Sequence, residues 1–440
     1  MRVLPFQLRI HSFSTTALAM STTMSSTQQP LRSTIHTTPA AFFDAHNHIH
    51  LSKLGGIPPL TQEKMHLHLQ DQHMKNKKSM ETCNFDDDEM STSISSHAES
   101  ILNAFSSDEN LVARESYVHI RGIAIMSTQP RDFPIVKQLA KELHIKRLGM
   151  DLRDDTGMHV VRCYGVHPWF LKQANADFAD FAVANEKCSD LSQNVPAWLS
   201  YLKYNLEADP SSHVGEIGLD GARYDIDPLT NEKVLAATIE SQIEAFESQM
   251  HLAADLKRSV SVHAVHCWGQ FMNSMKNIKM TRMKMRKDKI SLRKQLEREI
   301  FLSENEDEKN LIAERLKDVK GDFLVLPPKI YFHAFGGKPT VVDQLDAICR
   351  EKSMPSYVTE TFYGFAPFVN FRAPKTEHVM QKVGIGRLVL ESDLEDFNEV
   401  RSDLKAGVEF IARVFAMEED EVLRQTNANA RYFYGFSHDN

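Results

Sequence analysis

Several features that would place this chain in a familiar class are missing from its 440 residues. Its five cysteines are widely spaced and odd in number, and none forms a C-x-x-C pair. This excludes a zinc-finger pattern and a disulfide framework and fits a reducing compartment. No apolar run approaches the roughly 20 residues that span a bilayer, so no membrane is expected. The formal net charge of −8 gives no bulk attraction for nucleic acid, so an anionic substrate needs a local positive site.

Motifs for common catalytic chemistries are also missing. No suitable strand end carries a P-loop, a G-x-G-x-x-G dinucleotide signature or a nucleophilic Ser or Cys elbow. Hydrophobic residues make up 42% of the chain and charged residues 25%, which is ordinary for a soluble globular protein. The sequence therefore gives no support for a phosphate-binding loop, a dinucleotide cofactor or a covalent Ser or Cys mechanism.

Acidic residues are absent from the first 43 positions, which are rich in Ser and Thr and contain three arginines. This composition is typical of an organellar transit peptide. The alternatives are a disordered tail or a later start at Met20 or Met24. We expect residues 1–41 to be a transit peptide or a tail. A mitochondrial or other organellar location follows if the leader is real, and a cytoplasmic or nuclear location follows otherwise.

The most informative stretch is Phe42–His48, FFDAHNH, an apolar strand end followed by two histidines one residue apart. Alternate side chains of a strand point the same way, so His46 and His48 would project together. Neutral imidazole is a common ligand of divalent metals. The pair predicts half of a metal site. Taken alone, it also fits one core histidine beside one surface histidine.

The rest of the chain alternates short apolar strands with helical segments. A strand–loop–helix rhythm occurs eight times, which predicts parallel β/α units that close as an α/β fold of the (β/α)8 TIM-barrel type over residues 42–436. Further strands are expected near residues 118–126, 161–166, 213–220, 259–263, 329–333, 357–365 and 387–390, and helices near residues 134–143, 196–206, 232–257, 398–416 and 419–433.

Two long insertions are expected to interrupt this rhythm. Residues 52–116 show no sustained apolar period, so we expect them to be partly disordered. Residues 272–320 are first rich in Lys, Arg and Met and then acidic, which favours a solvated helical excursion; an arm that binds substrate or a partner is the alternative. The sparse histidines of the first insertion are expected to be solvated: His66, His68, His73 and His97.

Six side chains with metal-binding chemistry fall at the carboxyl ends of predicted strands, the face where barrel enzymes build their active sites. Chance would scatter such residues among loops, helix faces and strand middles. A single catalytic zinc takes three protein ligands and one open position, whereas four imidazoles and two carboxylates suffice for two ions that share a bridging group. The six residues are His46, His48, Glu216, His263, His333 and Asp393.

A site with two metal ions predicts a class of reaction. Two divalent ions about 3.5–4 Å apart generate a hydroxide from bound water and stabilise both the attacking and the leaving oxygen. Phosphoryl centres suit this arrangement because charge accumulates on several of their oxygens at once. Bound metal would also supply the local positive charge that the acidic chain otherwise lacks.

Seven short motifs follow one another along the chain in an order that resembles the TatD-type metal-dependent deoxyribonucleases of the amidohydrolase superfamily. The phrases MSTQPRDF and SVHAVHCWGQF resemble a divergent eukaryotic branch of that family. The resemblance covers residues 43–435 apart from the two insertions, and VGEIGLD is its most specific part. The motifs are FDAHNH (43–48), YGVHPWF (164–170), VGEIGLD (214–220), VSVH (260–263), FHAFGG (332–337), LVLESD (388–393) and NARYFYG (429–435).

The resemblance implies a DNase that cleaves phosphodiester bonds from a strand end, as a 3'-5' exonuclease, with two divalent ions such as Zn²⁺, Mg²⁺ or Mn²⁺. In this pattern Glu216 bridges the ions and Asp393 accepts a proton from the attacking water. His167 would contact a substrate phosphate; a turn histidine that only fixes its loop is the alternative. The implied metal ligands are His46, His48, Glu216 and Asp393 for one ion and Glu216, His263 and His333 for the other.

The chain departs from the family pattern at a few places. The family commonly has an arginine where this chain has Val265, Ser392 replaces the usual threonine, and the proline that usually follows the last aspartate is missing. Loss of the arginine and the two insertions bear on substrate choice and on nuclease activity itself, and DNA and RNA both stay open as substrates. Two alternatives therefore stay open: an amidohydrolase acting on a small amide, ester or lactone, and a non-catalytic, metal-bound scaffold whose insertions bind a protein partner.

Overall fold

Eight parallel strands form the centre of the fold. The fold is given by a computed structural model, which describes residues 42–49, 88–105, 120–149, 158–178, 196–227, 229–320, 323–350 and 358–436. The strands of the main sheet are β1 Phe42–Asn47, β2 Ile120–Met126, β3 His159–Tyr164, β4 His213–Asp220, β7 Val260–Val265, β8 Lys329–Phe332, β9 Glu360–Gly364 and β10 Leu388–Val389. They pair in the order β1-β2-β3-β4-β7-β8-β9-β10, and β5 and β6 form a separate hairpin described below.

The sheet closes between its first and last strands. The backbone N–H of Ala45 donates to the carbonyl of Leu390 at 2.9 Å, and the N–H of Asp393 donates to the carbonyl of His46 at 3.0 Å. All neighbouring pairs within the sheet are parallel. The predicted (β/α)8 barrel is confirmed, and its closure joins the strand that carries His46 to the segment that carries Asp393.

Helices connect successive strands, as expected for parallel β/α units. The strands have near-continuous apolar sequences, such as IRGIAIM in β2, because they are buried on both faces. The helices are α1 Asp88–Phe105, α2 Phe133–Gly149, α3 Leu171–Asp177, α4 Ala197–Ala208, α5 Ile239–Asp255, α6 Trp268–Leu302, α7 Glu306–Lys320, α8 Pro339–Cys349, α9 Pro367–Asn370, α10 Thr376–Val383, α11 Val400–Phe415 and α12 Glu419–Tyr434. Within the described ranges, none is both long and apolar enough to cross a bilayer.

The second insertion forms a helical hairpin of α6 and α7. With 35 residues, α6 extends over roughly 52 Å at a rise of about 1.5 Å per residue. Its Arg282 binds the Asp255 carboxylate at the end of α5 at 2.7 Å, and its Lys279 binds the Arg350 carbonyl just after α8 at 2.8 Å. Both neighbours lie at the amino-end face of the barrel, so the rest of α6 projects beyond that face, away from the carboxyl ends of the strands.

The first insertion contains a helix that its sequence pattern did not predict. In α1, the buried side chains Ile94, Ala98, Ile101 and Leu102 have helical spacing and pack in the main core. The expectation that His97 is solvated is wrong, because this residue is buried and its Nε2 lies 2.9 Å from the carbonyl oxygen of Ile49. The other three histidines of the insertion, and residues 1–41, lie outside the described residues.

A small antiparallel hairpin replaces part of a predicted helix. Residues 232–257 were expected to be helical, but Lys233–Leu235 form strand β6, which pairs with β5 Tyr224–Ile226. Helix α5 begins only after Thr238, whose hydroxyl caps it by accepting a hydrogen bond from the N–H of Ser241 at 3.2 Å. The hairpin follows β4 and therefore lies at the carboxyl end of the barrel.

Candidate metal centre

The seven predicted site residues lie together at the carboxyl end of the barrel. Three belong to strands and four follow a strand within four residues, and all except Asp393 are buried. Their nitrogen and oxygen atoms form three groups whose members lie within 4.8 Å of one another. The groups are His46–Glu216–His333, His46–His48–Asp393 and His167–Glu216–His263.

Glu216 occupies the centre of this arrangement. The sequence suggested that it ends its strand, but β4 continues to Asp220, and the register of β4 against β7 shifts between Val214 and Ile217. Such an irregularity re-aims the side chain it carries. Glu216 Oε2 lies 3.1 Å from His48 Nε2 and 3.7 Å from His46 Nε2.

The second oxygen of Glu216 faces three other imidazoles. Glu216 Oε1 lies 2.8 Å from His333 Nε2, 3.0 Å from His263 Nδ1 and 3.2 Å from His167 Nε2. The His263 Nδ1 and His333 Nε2 atoms are themselves 3.1 Å apart. The two carboxylate oxygens therefore face two different sets of imidazole nitrogens.

Hydrogen bonds outside the centre orient the first-strand histidines. His48 Nδ1 lies 3.1 Å from the carbonyl oxygen of Met126, so Nδ1 carries the proton and Nε2 is the nitrogen that can act as a ligand. His46 Nδ1 lies 3.0 Å from the hydroxyl of Ser261 on β7. In both residues Nε2 is the atom that points towards Glu216 and Asp393.

Two buried imidazole nitrogens without a hydrogen-bond partner show whether these residues fit a metal ion. His46 Nε2 and His333 Nδ1 are buried and make no hydrogen bond. Leaving such groups unpaired costs about 1–3 kcal/mol each, so an unpaired buried nitrogen at a functional site needs an explanation. Their rings are stacked with centroids 3.9 Å apart beside Glu216. Imidazole and carboxylate are donors that suit divalent transition metals, so these residues fit a metal ion.

The electrostatics of the centre also favour a cation. Burial opposes ionisation of Glu216, but the charges and hydrogen bonds of His167, His333 and His263 hold its pKa well below the usual range. Burial likewise opposes protonation of His48, yet the hydrogen bond and charge of Glu216 raise its pKa to about 9. The buried carboxylate thus favours a positive charge on the neighbouring imidazole. In a metal site a divalent ion supplies that positive charge instead.

His167 is held differently from the other imidazoles. Its Nδ1 accepts a hydrogen bond from the backbone N–H of Trp169 at 3.2 Å, so its proton is on Nε2, facing Glu216. Burial lowers its pKa to about 4, which keeps the ring neutral. A protonated Nε2 is a hydrogen-bond donor, which agrees better with the predicted contact to substrate than with direct ligation.

Asp393 lies at the mouth of the centre. Its Oδ1 is 3.7 Å from both His46 Nε2 and His48 Nε2, and its side chain is 18% exposed, against 5% for Glu216. Its backbone is in the left-handed region, with φ of 58°, which Asp tolerates better than most residues. Burial is the main cause that raises the pKa of Asp393 above its ordinary value, and the negative charge of Glu216 raises it further.

Two supporting carboxylates were not assigned a role from the sequence. Asp44 is fully buried and accepts hydrogen bonds from the N–H of Ser392 at 3.0 Å and from its hydroxyl at 2.6 Å. This bridge fixes the His46 strand against the Asp393 segment, and Ser392 supplies the hydroxyl that the family's threonine would supply. Glu391 accepts hydrogen bonds from Tyr331 and from the N–H of Ala334, which holds the loop after His333.

Asp220 supports His263 in the same way. Its Oδ2 lies 3.0 Å from His263 Nε2 and accepts the indole N–H of Trp169 at 2.7 Å. The carboxylate places the His263 proton on Nε2 and turns Nδ1 towards Glu216. The motif VGEIGLD contains this residue, but only the fold shows that it faces His263.

We expect Asp220→Asn to weaken metal affinity and kcat/KM by roughly 10–100-fold, because the amide supplies no negative charge to His263. Chelator competition and steady-state kinetics measure the two effects. The matched control is Asp288→Asn, which removes an exposed carboxylate from α6, far from the centre, and is expected to leave both unchanged. Equal metal affinity in Asp220→Asn and wild type would contradict the assigned role.

A cluster of buried imidazoles and carboxylates at the carboxyl end of a (β/α)8 barrel defines a class of metal-dependent hydrolases. The profile of the TatD related DNase family matches residues 65–435. The chain therefore belongs to the TatD family of hydrolases, as the motifs suggested. It is also 24% identical over 340 residues to the Cut9-interacting protein scn1 of Schizosaccharomyces pombe, covering 71% of this chain and 90% of that protein.

Solved structures of low sequence identity align with the chain. The YJJV TatD homolog of Escherichia coli is 16% identical, with 75% of this chain and 92% of that chain covered and a TM-score of 0.43. A TatD family hydrolase of Entamoeba histolytica is 12% identical, with coverage of 90% and 99% and a TM-score of 0.44. An uncharacterized amidohydrolase of Saccharomyces cerevisiae is 12% identical, with coverage of 90% and 100% and a TM-score of 0.47.

Proposed function

We propose that the protein hydrolyses phosphodiester bonds of nucleic acid with two divalent metal ions and removes nucleotides from a strand end in the 3'-5' direction. The observation that carries this proposal is the position of Glu216, whose two oxygens face separate sets of imidazoles. A carboxylate placed in this way supports a bridging role. Membership of the TatD related DNase family supports nucleic acid as the substrate.

The metal ions, when bound, supply an activated water and stabilise the charge that develops on the phosphoryl oxygens. His46 and His48 hold their Nε2 atoms towards Glu216 Oε2, and His263 and His333 direct nitrogens towards Oε1. Asp220, Ser261 and the Met126 carbonyl keep these rings in orientation. The chain thus fixes the ligand atoms before a substrate arrives, which is how a preorganised site avoids reorganisation during the reaction.

Asp393 is the residue we assign as proton acceptor. It is the most exposed carboxylate of the centre, so it faces the side from which water and substrate enter. His167, on the Oε1 side, offers the Nε2 proton as a donor to a phosphate oxygen when substrate displaces its contact with Glu216. Asp393 thus accepts the proton, and His167 positions the phosphate.

The proposal is tested with the purified full chain and Mg²⁺, Mn²⁺ or Zn²⁺. Single-stranded DNA and RNA of one sequence, labelled at either end, are the substrates, beside a panel of small amides, esters and lactones. We expect metal-dependent release of mononucleotides from the 3' end of the DNA, the RNA or both. No release by the wild type, or equal release by Glu216→Ala, would refute the proposal. Cleavage of amides or lactones alone would favour the amidohydrolase alternative.

We also propose that the α6–α7 hairpin binds a protein partner. The S. pombe relative is named for its interaction with Cut9, and the hairpin projects from the face opposite the metal centre with Phe301 86% exposed. We expect a chain whose residues 285–319 are replaced by a short turn to bind a Cut9-like partner at least about tenfold more weakly, while Asp393→Ala binds normally. Equal binding by the shortened chain, measured by calorimetry, would contradict this.

A further inference from the structure

Two arginine–aromatic pairs lie on loops at the carboxyl end of the barrel. The first pair is Trp169, which follows β3, and Arg223, which follows β4. The Arg223 guanidinium lies 4.9 Å from the centroid of the Trp169 ring. The indole is 37% exposed, and its ring centroid is 6.2 Å from that of His263. This pair therefore forms part of the wall of the metal centre.

The second pair is Phe368 and Arg372, on the segment that follows β9. The Arg372 guanidinium lies 5.8 Å from the centroid of the Phe368 ring, which is 70% exposed. The segment is bound to the loop that carries His333, because Asn370 Nδ2 donates to the carbonyl of Ala334 at 3.2 Å. The Phe368 ring thus lies exposed on a segment bound beside a candidate ligand loop, and it contributes little buried area to the fold.

The two pairs lie across the barrel from each other. In the closed order of eight strands, β3 is third and β9 is seventh, so half of the barrel separates them. The loops that follow these strands carry Trp169 and Phe368 on opposite sides of the metal centre. A small amide or lactone at Glu216 would be too short to contact both rings, whereas an extended chain is long enough to reach from one to the other.

We propose that Trp169 and Phe368, each with its arginine, are stacking platforms that hold bases of a single-stranded nucleic acid on either side of the metal centre. This inference rests on the proposed nuclease function. Aromatic rings stack on any base, and a guanidinium above the ring adds cation–π attraction and a contact for phosphate. In a duplex the faces of the bases are already covered, so the platforms select an unpaired strand and tolerate any sequence.

The experiment compares two oligodeoxynucleotides of equal length and charge. One has natural bases, and the other has abasic residues at its 3'-terminal positions. We expect the wild-type chain with its metals to cleave the first with kcat/KM roughly fivefold or more above the second, since stacking acts on each base. Phe368→Ala is expected to lose most of this preference. The matched control, Phe301→Ala, removes an exposed ring from the opposite face and is expected to keep it.

The outcomes separate this inference from the function on which it rests. A wild-type chain that cleaves neither strand contradicts the nuclease function and this inference together. If the wild-type chain cleaves both oligodeoxynucleotides with equal kcat/KM, the stacking role is contradicted and the nuclease function is not. The same holds if Phe368→Ala keeps the wild-type preference. Loss of preference in Phe301→Ala as well would also overturn the assignment to Phe368.

Discussion

Glu216→Gln is expected to lower kcat/KM for phosphodiester cleavage by about a thousandfold or more, the scale on which loss of a charge-stabilising group acts. The amide keeps the size of the side chain but carries no charge to offset the imidazoles on its two sides. In the proposed two-ion centre both ions would lose a shared ligand, so we expect a larger effect than for a residue that contacts one ion. Steady-state kinetics on a single-stranded oligonucleotide measures it.

The control for this variant is Glu244→Gln, an exposed carboxylate on α5 far from the centre, which should cleave like the wild type. Thermal unfolding shows whether each variant is folded. Activity of Glu216→Gln within threefold of the wild type would contradict the bridging role. Loss of activity in a chain that still unfolds cooperatively would support it.

Asp393→Asn is expected to lower kcat by roughly 10²–10⁴-fold, the usual contribution of a general base, with a smaller change in KM. Asn has nearly the same shape, but its amide does not accept a proton at neutral pH. The comparison with Glu395→Gln, an exposed neighbour, controls for the change of charge at the mouth. A kcat within a factor of three of the wild-type value would exclude Asp393 as the proton acceptor.

The barrel fold and the placement of the candidate ligands at one face were predictable because both depend on short, local sequence patterns. Parallel strands buried on both faces appear as short apolar runs, and the polar residue that ends or follows each run falls at one known face. His46, His263, His333 and Asp393 could therefore be assigned to one place without a structure. The structure also brings Glu216 to that place, through an irregularity within β4 rather than at the end of the strand.

What the sequence did not reveal depends on contacts distant in the chain. Asp220 acquires its role only because β4 and β7 are neighbours, and Asp44 only because the barrel closes against Ser392. His97 is buried because α1 packs against the core, and its short apolar pattern was hidden in a polar tract. The β5–β6 hairpin was missed since its apolar residues also fit the start of a helix.

Metal content tests most directly whether Glu216 joins two metal ions, as we propose. Wild type and Glu216→Gln are purified from the same metal-supplemented culture without an affinity tag, and bound metals are counted by mass spectrometry against protein concentration. We expect two divalent ions per wild-type chain, at most one in Glu216→Gln, and loss of phosphodiesterase activity when chelator removes them. A wild-type chain that holds no metal, or a Glu216→Gln chain that holds two, would contradict it.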